Sequence, residues 1–148
     1  MDNNARHHLI MFIVMIIFGI LFNPMNALAY RLSDLYLSLT LFYGGVLMAS
    51  NMIWSHEIVH YLSMGHINLN RLFLGIILSL LTTILLLRSQ FMVNDTQWLK
   101  RMISHHSTAL TTSKIIKNRT KNKKLKKLAD EIIVTQEREI SLMKSMLQ

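Results

Sequence analysis

Apolar residues run from Leu9 to Phe22 with only Gly19 interposed, and Asn23 and Pro24 close the run. A second stretch, Leu35 to Trp54, carries Gly44-Gly45 and Ala49-Ser50, small residues that let another helix approach closely in a bilayer. The third, Leu72 to Leu87, is bounded by Arg71 and Arg88 and holds only Ser79, Thr82 and Thr83 as polar residues. A membrane-spanning helix needs about 20 residues, so the pattern predicts three spans, over 9–29, 35–60 and 72–93. The first has a second reading. Arg6 ahead of a short apolar region and Ala27-Leu28-Ala29 behind it is also the layout of a cleavable signal, which would leave two spans. Beyond Arg88 the period changes. Trp98, Leu99, Met102, Ile103, His106, Ala109 and Leu110 recur at helical spacing behind a cap at Asp95 or Thr96, and Leu125, Leu128, Ile132, Ile133, Gln136, Ile140, Met143 and Leu147 do the same. Asn118 and Asn122 are turn formers between them. The expectation is all-α: a membrane domain over 1–93, then a helical hairpin over 94–148.

Charge sharpens this division. The chain of 148 residues carries a net +8, and 13 basic and 5 acidic residues from Arg88 onward account for all of it. The run Lys114 to Lys127 holds eight basic residues and no acidic one. Such a run is a solvated turn or is drawn to anionic lipid. Aromatic residues do not interleave with it, so no nucleic-acid partner is expected. With no Cys, disulfides, thiolate metal sites and cysteine nucleophiles are excluded. Any soft-metal chemistry falls to the 11 Met and 7 His.

Met102, His105 and His106 lie together on the first tail helix, and Gln136, Glu139 and Met143 on the second. A turn centred near residue 120 or 121 would set Met102 opposite Glu139, His105 opposite Gln136 and Ala109 opposite Ile132. Imidazole and thioether donors suit copper, or zinc less well, with Gln136 and Glu139 as acceptors that fix the His tautomer rather than as ligands. The plainer reading is a polar pair hydrogen-bonded across a hairpin.

These positions carry a resemblance. The tail resembles the domain of unknown function 305 family, whose pattern is a Met, two residues, a His-His pair and an Ala three positions later, then Leu-Ala-x-x-Ile-Ile-x-x-Gln-x-x-Glu-Ile-x-x-Met. Here these are Met102, His105, His106, Ala109, Leu128, Ala129, Ile132, Ile133, Gln136, Glu139, Ile140 and Met143. The resemblance implies a ferritin-like bundle, of which the hairpin is half, and copper binding or tolerance. Members often carry a further Met where this chain has Thr112. A membrane-bound branch has a Met-Ala-x-x-Met element, matched by Met48, Ala49 and Met52, and this favours a retained first helix.

Met48, Met52, His56 and His60 recur every fourth residue, a stripe along one face of the second span and its extension. It could serve as a further soft-ion path or only as packing. His56-Glu57-Ile58-Val59-His60 also matches the H-E-x-x-H pattern of zinc peptidases, in which two His hold zinc and the Glu activates water. Ser63 stands where the longer form of that motif needs Gly. The leading expectation is therefore not an enzyme. It is an integral membrane protein, of the cytoplasmic membrane if the host is bacterial, whose tail binds a metal ion in sequestration or tolerance. A structural or interaction role without metal, and the peptidase, are the alternatives. A hairpin cannot enclose a core alone, so a homo-oligomer through the tail is expected beside the lipid partner. Arg31, Arg88 and the tail share one membrane side, and the basic tail favours the cytoplasm while external copper handling favours the other.

Overall fold

The computed structural model describes residues 3–147, which are helical with no strand among them. The first apolar run forms α1 (Asn3–Leu21) and stops at Asn23-Pro24, because proline lacks the N–H that a continuing helix would use. Pro24 instead opens the one-turn α2 (Pro24–Ala27), capped by the Asn23 side chain on the Asn26 N–H at 3.0 Å. A 3-10 turn (Leu32–Asp34), α3 (Leu39–Met64) and α4 (Leu69–Leu81) follow, and α4 runs on as a π-helical segment, Thr82–Arg88. The tail forms α5 (Asp95–Arg119) and α6 (Lys123–Met146).

Two stretches, Arg6–Ala27 and Leu69–Arg88, are long and apolar enough to cross a membrane, and only 6% and 11% of each is buried. Three were expected. The middle helix α3 has 26 residues, ample length, but Ser50, Asn51, Ser55, His56, Glu57 and His60 make it less apolar than those two stretches. Residues 1–21 and 39–92 form one compact unit, and residues 22–38 with 93–148 form the other. The connection 22–38, which the apolar pattern divides between the first two spans, thus packs with the tail hairpin.

Within the first unit α3 packs against both α1 and α4. Glycines set these crossings. A Cβ on Gly19 would lie 2.9 Å from the Gly45 Cα, and one on Gly75 would lie 2.7 Å from the Trp54 backbone nitrogen. The hydroxyls of Ser79 and Thr83 bond the carbonyls of Gly75 and Ser79 at 2.9 and 2.8 Å, so these polar residues leave no unmet group in an apolar helix.

In the second unit Asn94 and Asn122 cap α5 and α6 through their side chains. Leu99, Ile103, Leu110, Ile140 and Met143 form its core, with Tyr36, Met102, Ile133 and Leu147 packed against it. The turn between α5 and α6 falls at residues 120–122, where it was expected. The facing pair differs: Glu139 meets His106, one turn beyond Met102. Onto this hairpin the segment 22–38 is tied by polar groups. The Asp34 carboxylate, 2% exposed, accepts from Ser107 Oγ at 2.7 Å and pairs with the Lys144 ammonium. Ser104 Oγ donates to the Asp34 carbonyl at 2.8 Å, Ser107 Oγ accepts the Tyr30 N–H at 2.8 Å, and Thr108 Oγ1 donates to the Met25 carbonyl at 3.0 Å.

Two stability predictions follow from these contacts. Gly75→Ala should lower the thermal unfolding midpoint in detergent, whereas Gly44→Ala, whose Cβ meets nothing within 4 Å, should raise stability by about 0.5–1 kcal/mol through chain entropy. Asp34→Ala leaves Lys144 and Ser107 without their acceptor, and should cost about 3 kcal/mol in urea unfolding, toward the low end for a broken buried pair because Lys144 is part-exposed. Adding Lys144→Met should restore part of that loss.

Candidate functional site

The hairpin gathers some of the expected donors and disperses others. His105 and His106 sit side by side on α5 with ring centroids 5.9 Å apart. His105 is exposed, while the His106 side chain is 15% exposed and its Nδ1 lies 3.0 Å from Glu139 Oε2 on α6. That contact is a charge approach rather than an in-line hydrogen bond, since Nδ1 has no partner at hydrogen-bonding angles. Burial, then the neighbouring His106 and Arg101, hold the His105 imidazole below its ordinary pKa. Met143 belongs to the apolar core of the hairpin, where it is 7% exposed, and Met102 packs half-buried against that core. Gln136 is half-buried one turn before Glu139 on α6 and makes no hydrogen bond to the His pair among the described residues. Lys114–Glu137 at 2.8 Å and Lys117–Asp130 close the hairpin on either side of its turn-proximal half.

Much of the stripe on α3 faces α1. Met48 lies against it, its sulfur 3.2 Å from the position a Cβ on Gly19 would take. Met52 and His56 line a pocket with His8 and Met11 of α1, and His56 stacks on His60 at 6.2 Å and 25°. Beyond Met64 the chain turns through Gly65, whose φ of +77° is the left-handed conformation that a helix exit commonly uses. The turn brings His66 edge-on to His60 at 4.4 Å between centroids. His60 Nδ1 lies 3.1 Å from the His66 carbonyl and His66 Nδ1 lies 3.3 Å from the Met64 carbonyl. A carbonyl only accepts, so both Nδ1 atoms carry a proton, and a lone pair in the neutral form of either ring sits on Nε2. His8, on α1, comes within 6.2 Å of His56 and 5.8 Å of His7. Together these histidines line a cavity of about 780 Å³.

Glu57 does not take the role its motif suggests. It is 3% exposed, its Oε2 accepts the Asn68 N–H at 3.1 Å, and Oε1 faces Arg71 at 3.7 Å. The carboxylate is thus committed to the α3–α4 turn. Among the described residues no three His, Asp or Glu side chains converge closely enough to hold a metal ion by themselves. The residues that the apolar and donor patterns passed over as site residues are His8 and Met11, about 40 to 50 positions from Met52 and His56, and Asp34 with Ser104 and Ser107. The hydroxyls carried a signal, since Ser104, Ser107 and Thr108 share one face of α5 at helical spacing.

Comparison with known sequences bears on the tail most directly. A family described as “Domain of unknown function (DUF305)” matches residues 86–148. The chain is also similar to “Uncharacterized protein L153” of Acanthamoeba polyphaga mimivirus, with 36% identity over 140 residues that span 94% of this chain and 90% of the viral one. No solved structure matches.

The His105 environment predicts a pH dependence. Its pKa is lower in the fold than the roughly 6.5 of an unfolded chain, so the unfolded chain takes up the proton first as pH falls. Stability should be constant above that value and decline as pH drops through it toward the folded pKa. His105→Ala should flatten the fall in thermal midpoint between about pH 7.5 and 5.5.

Proposed function

Because the chain belongs to the DUF305 family, we propose that it is a membrane-anchored metal-binding protein whose α5 presents the His105–His106 pair to an ion, copper ahead of zinc, for sequestration or tolerance. The observation that carries this reading is the adjacency of an exposed imidazole and one whose Nδ1 faces a carboxylate. The Glu139 carboxylate, 3.0 Å from His106 Nδ1, is near enough to orient the imidazole if the ring turns to donate to it, which would leave Nε2 for a ligand. Imidazole suits copper and zinc alike, and the family resemblance favours copper.

One hairpin supplies two imidazoles, and the thioethers of Met102 and Met143 are taken up by its core. Two hairpins would supply four. Leu128, Val134, Leu142 and Met146 leave apolar surface on α6 at 51%, 68%, 54% and 61% exposure, which a second copy would cover. The anchoring itself rests on the two outward-facing apolar stretches, with α3 as a third span between them: at about 1.5 Å per residue it is about 39 Å long. Its polar residues would be tolerated where they face α1 and α4 instead of lipid.

An interaction role without metal is the second reading, favoured by the same His106–Glu139 contact acting only as a clamp between α5 and α6. The peptidase reading is not favoured, since Glu57 is held by Asn68 and Arg71.

Copper titration of the full chain in mild detergent separates the readings. His105→Ala with His106→Ala should remove about one bound ion for every two chains, and Glu139→Gln should weaken that ion on the order of tenfold. Unchanged stoichiometry in the double variant would leave the clamp as the role of the pair. Cross-linking should give a dimer band that Val134→Glu reduces.

A further inference from the structure

Beneath the histidine-lined cavity lies a smaller chamber of about 250 Å³, enclosed by α1, α3 and α4. Two imidazoles, His8 and His56, and two thioethers, Met11 and Met52, line it together with Ile53, Leu74 and the facing charges of Glu57 and Arg71. His8 Nε2 is buried with no hydrogen-bond partner. A buried nitrogen left unpaired is unfavourable, and such orphans in a folded structure call for an explanation. We propose that His8, Met11, Met52 and His56 form a site for a monovalent soft metal ion, copper(I), inside the α1–α3–α4 unit and separate from the tail.

The donor set selects the ion. Two thioethers with two imidazoles are soft to borderline ligands, and neither hard cations nor carboxylate-seeking ions are served by them. Charge points the same way. The one carboxylate in the lining, Glu57, is offset by Arg71, also in the lining, at 3.7 Å and by the Asn68 N–H. An ion entering therefore meets four neutral donors beside a pair of charges that cancel. The cost of burying an ion rises with the square of its charge, so a monovalent ion is favoured over a divalent one. The convergence is not one of three His, Asp or Glu side chains, and none is present among the described residues. It is a mixed set that depends on thioether sulfur. His60 and His66, whose Nε2 lone pairs are freed by their Nδ1 contacts to backbone carbonyls, stand in the outer cavity as relay positions to the chamber.

Only residues outside the hairpin are involved, so this site stands or falls independently of the His105–His106 reading. The test uses the full chain in mild detergent, carrying His105→Ala and His106→Ala, with copper(I) supplied anaerobically as its bicinchoninate complex. The expected result is uptake of about one ion per chain, with both nitrogen and sulfur neighbours in the copper K-edge absorption spectrum. Met11→Leu with Met52→Leu, swaps that nearly conserve volume and so the fold, should remove the sulfur neighbours and weaken binding on the order of tenfold or more. His8→Ala should weaken it likewise, and zinc in equal concentration should not displace the copper. His60→Ala should slow uptake with little change in affinity. A sulfur-free spectrum, an affinity unchanged by the methionine pair, or displacement by zinc would each overturn the proposal.

Discussion

The Asp34 carboxylate is the group on which the tail unit depends. It is almost wholly removed from water, and it is placed there by a short 3-10 turn. A bare buried carboxylate would be very unfavourable; this one is met by the Lys144 ammonium from α6 and the Ser107 hydroxyl from α5. Because its two partners belong to different helices, one side chain fixes the spacing of the hairpin and the position of the segment that crosses it. The surrounding bonds extend that effect. Ser104, Ser107 and Thr108 use hydroxyls to satisfy the backbone of residues 25, 30, 34 and 36, groups that no helix of their own would satisfy.

This explains why α5 is so polar for a helix in a core. One of its faces packs apolar side chains against α6, and another receives a strand of irregular backbone. Small hydroxyl residues suit the second face, since they permit close approach and offer both donor and acceptor. The His105–His106 pair follows Ser104 in sequence and precedes Ser107, so the imidazoles are carried on a helix whose rotation is fixed by buried contacts on both sides of them. A metal-binding pair gains from such rigid support, because the rings then need little ordering when an ion arrives.

The α1–α3–α4 unit is organised by a different constraint. Its helices approach at glycines, where backbone meets backbone, and its polar groups are turned inward or bonded to their own helix. The same close approach brings His8 and Met11 to Met52 and His56, and commits Glu57 to the turn before α4. A sequence match to a zinc peptidase motif thereby becomes a structural contact, while histidines outside the motif line the cavity. Copper handling in both units would give this chain two sites of different character, an imidazole pair outside and a thioether-rich chamber within.

Periodicity by itself determined the helical character, the apolar front half, the two capped amphipathic tail helices and the His-His pair on the first of them, because all of these are local in the chain. Family membership was equally legible, since it rests on residue types at fixed spacing from Met102 to Met143. Register was not. The tail turn lies where its turn formers suggested, but Glu139 faces His106 rather than Met102, because side-chain packing between the helices decides which residues meet. Nor could sequence show that residues 22–38 dock on the hairpin or that the thioethers of Met102 and Met143 are spent at a core. Those outcomes join residues about 70 to 110 positions apart or depend on which face a helix buries, and only tertiary packing decides them.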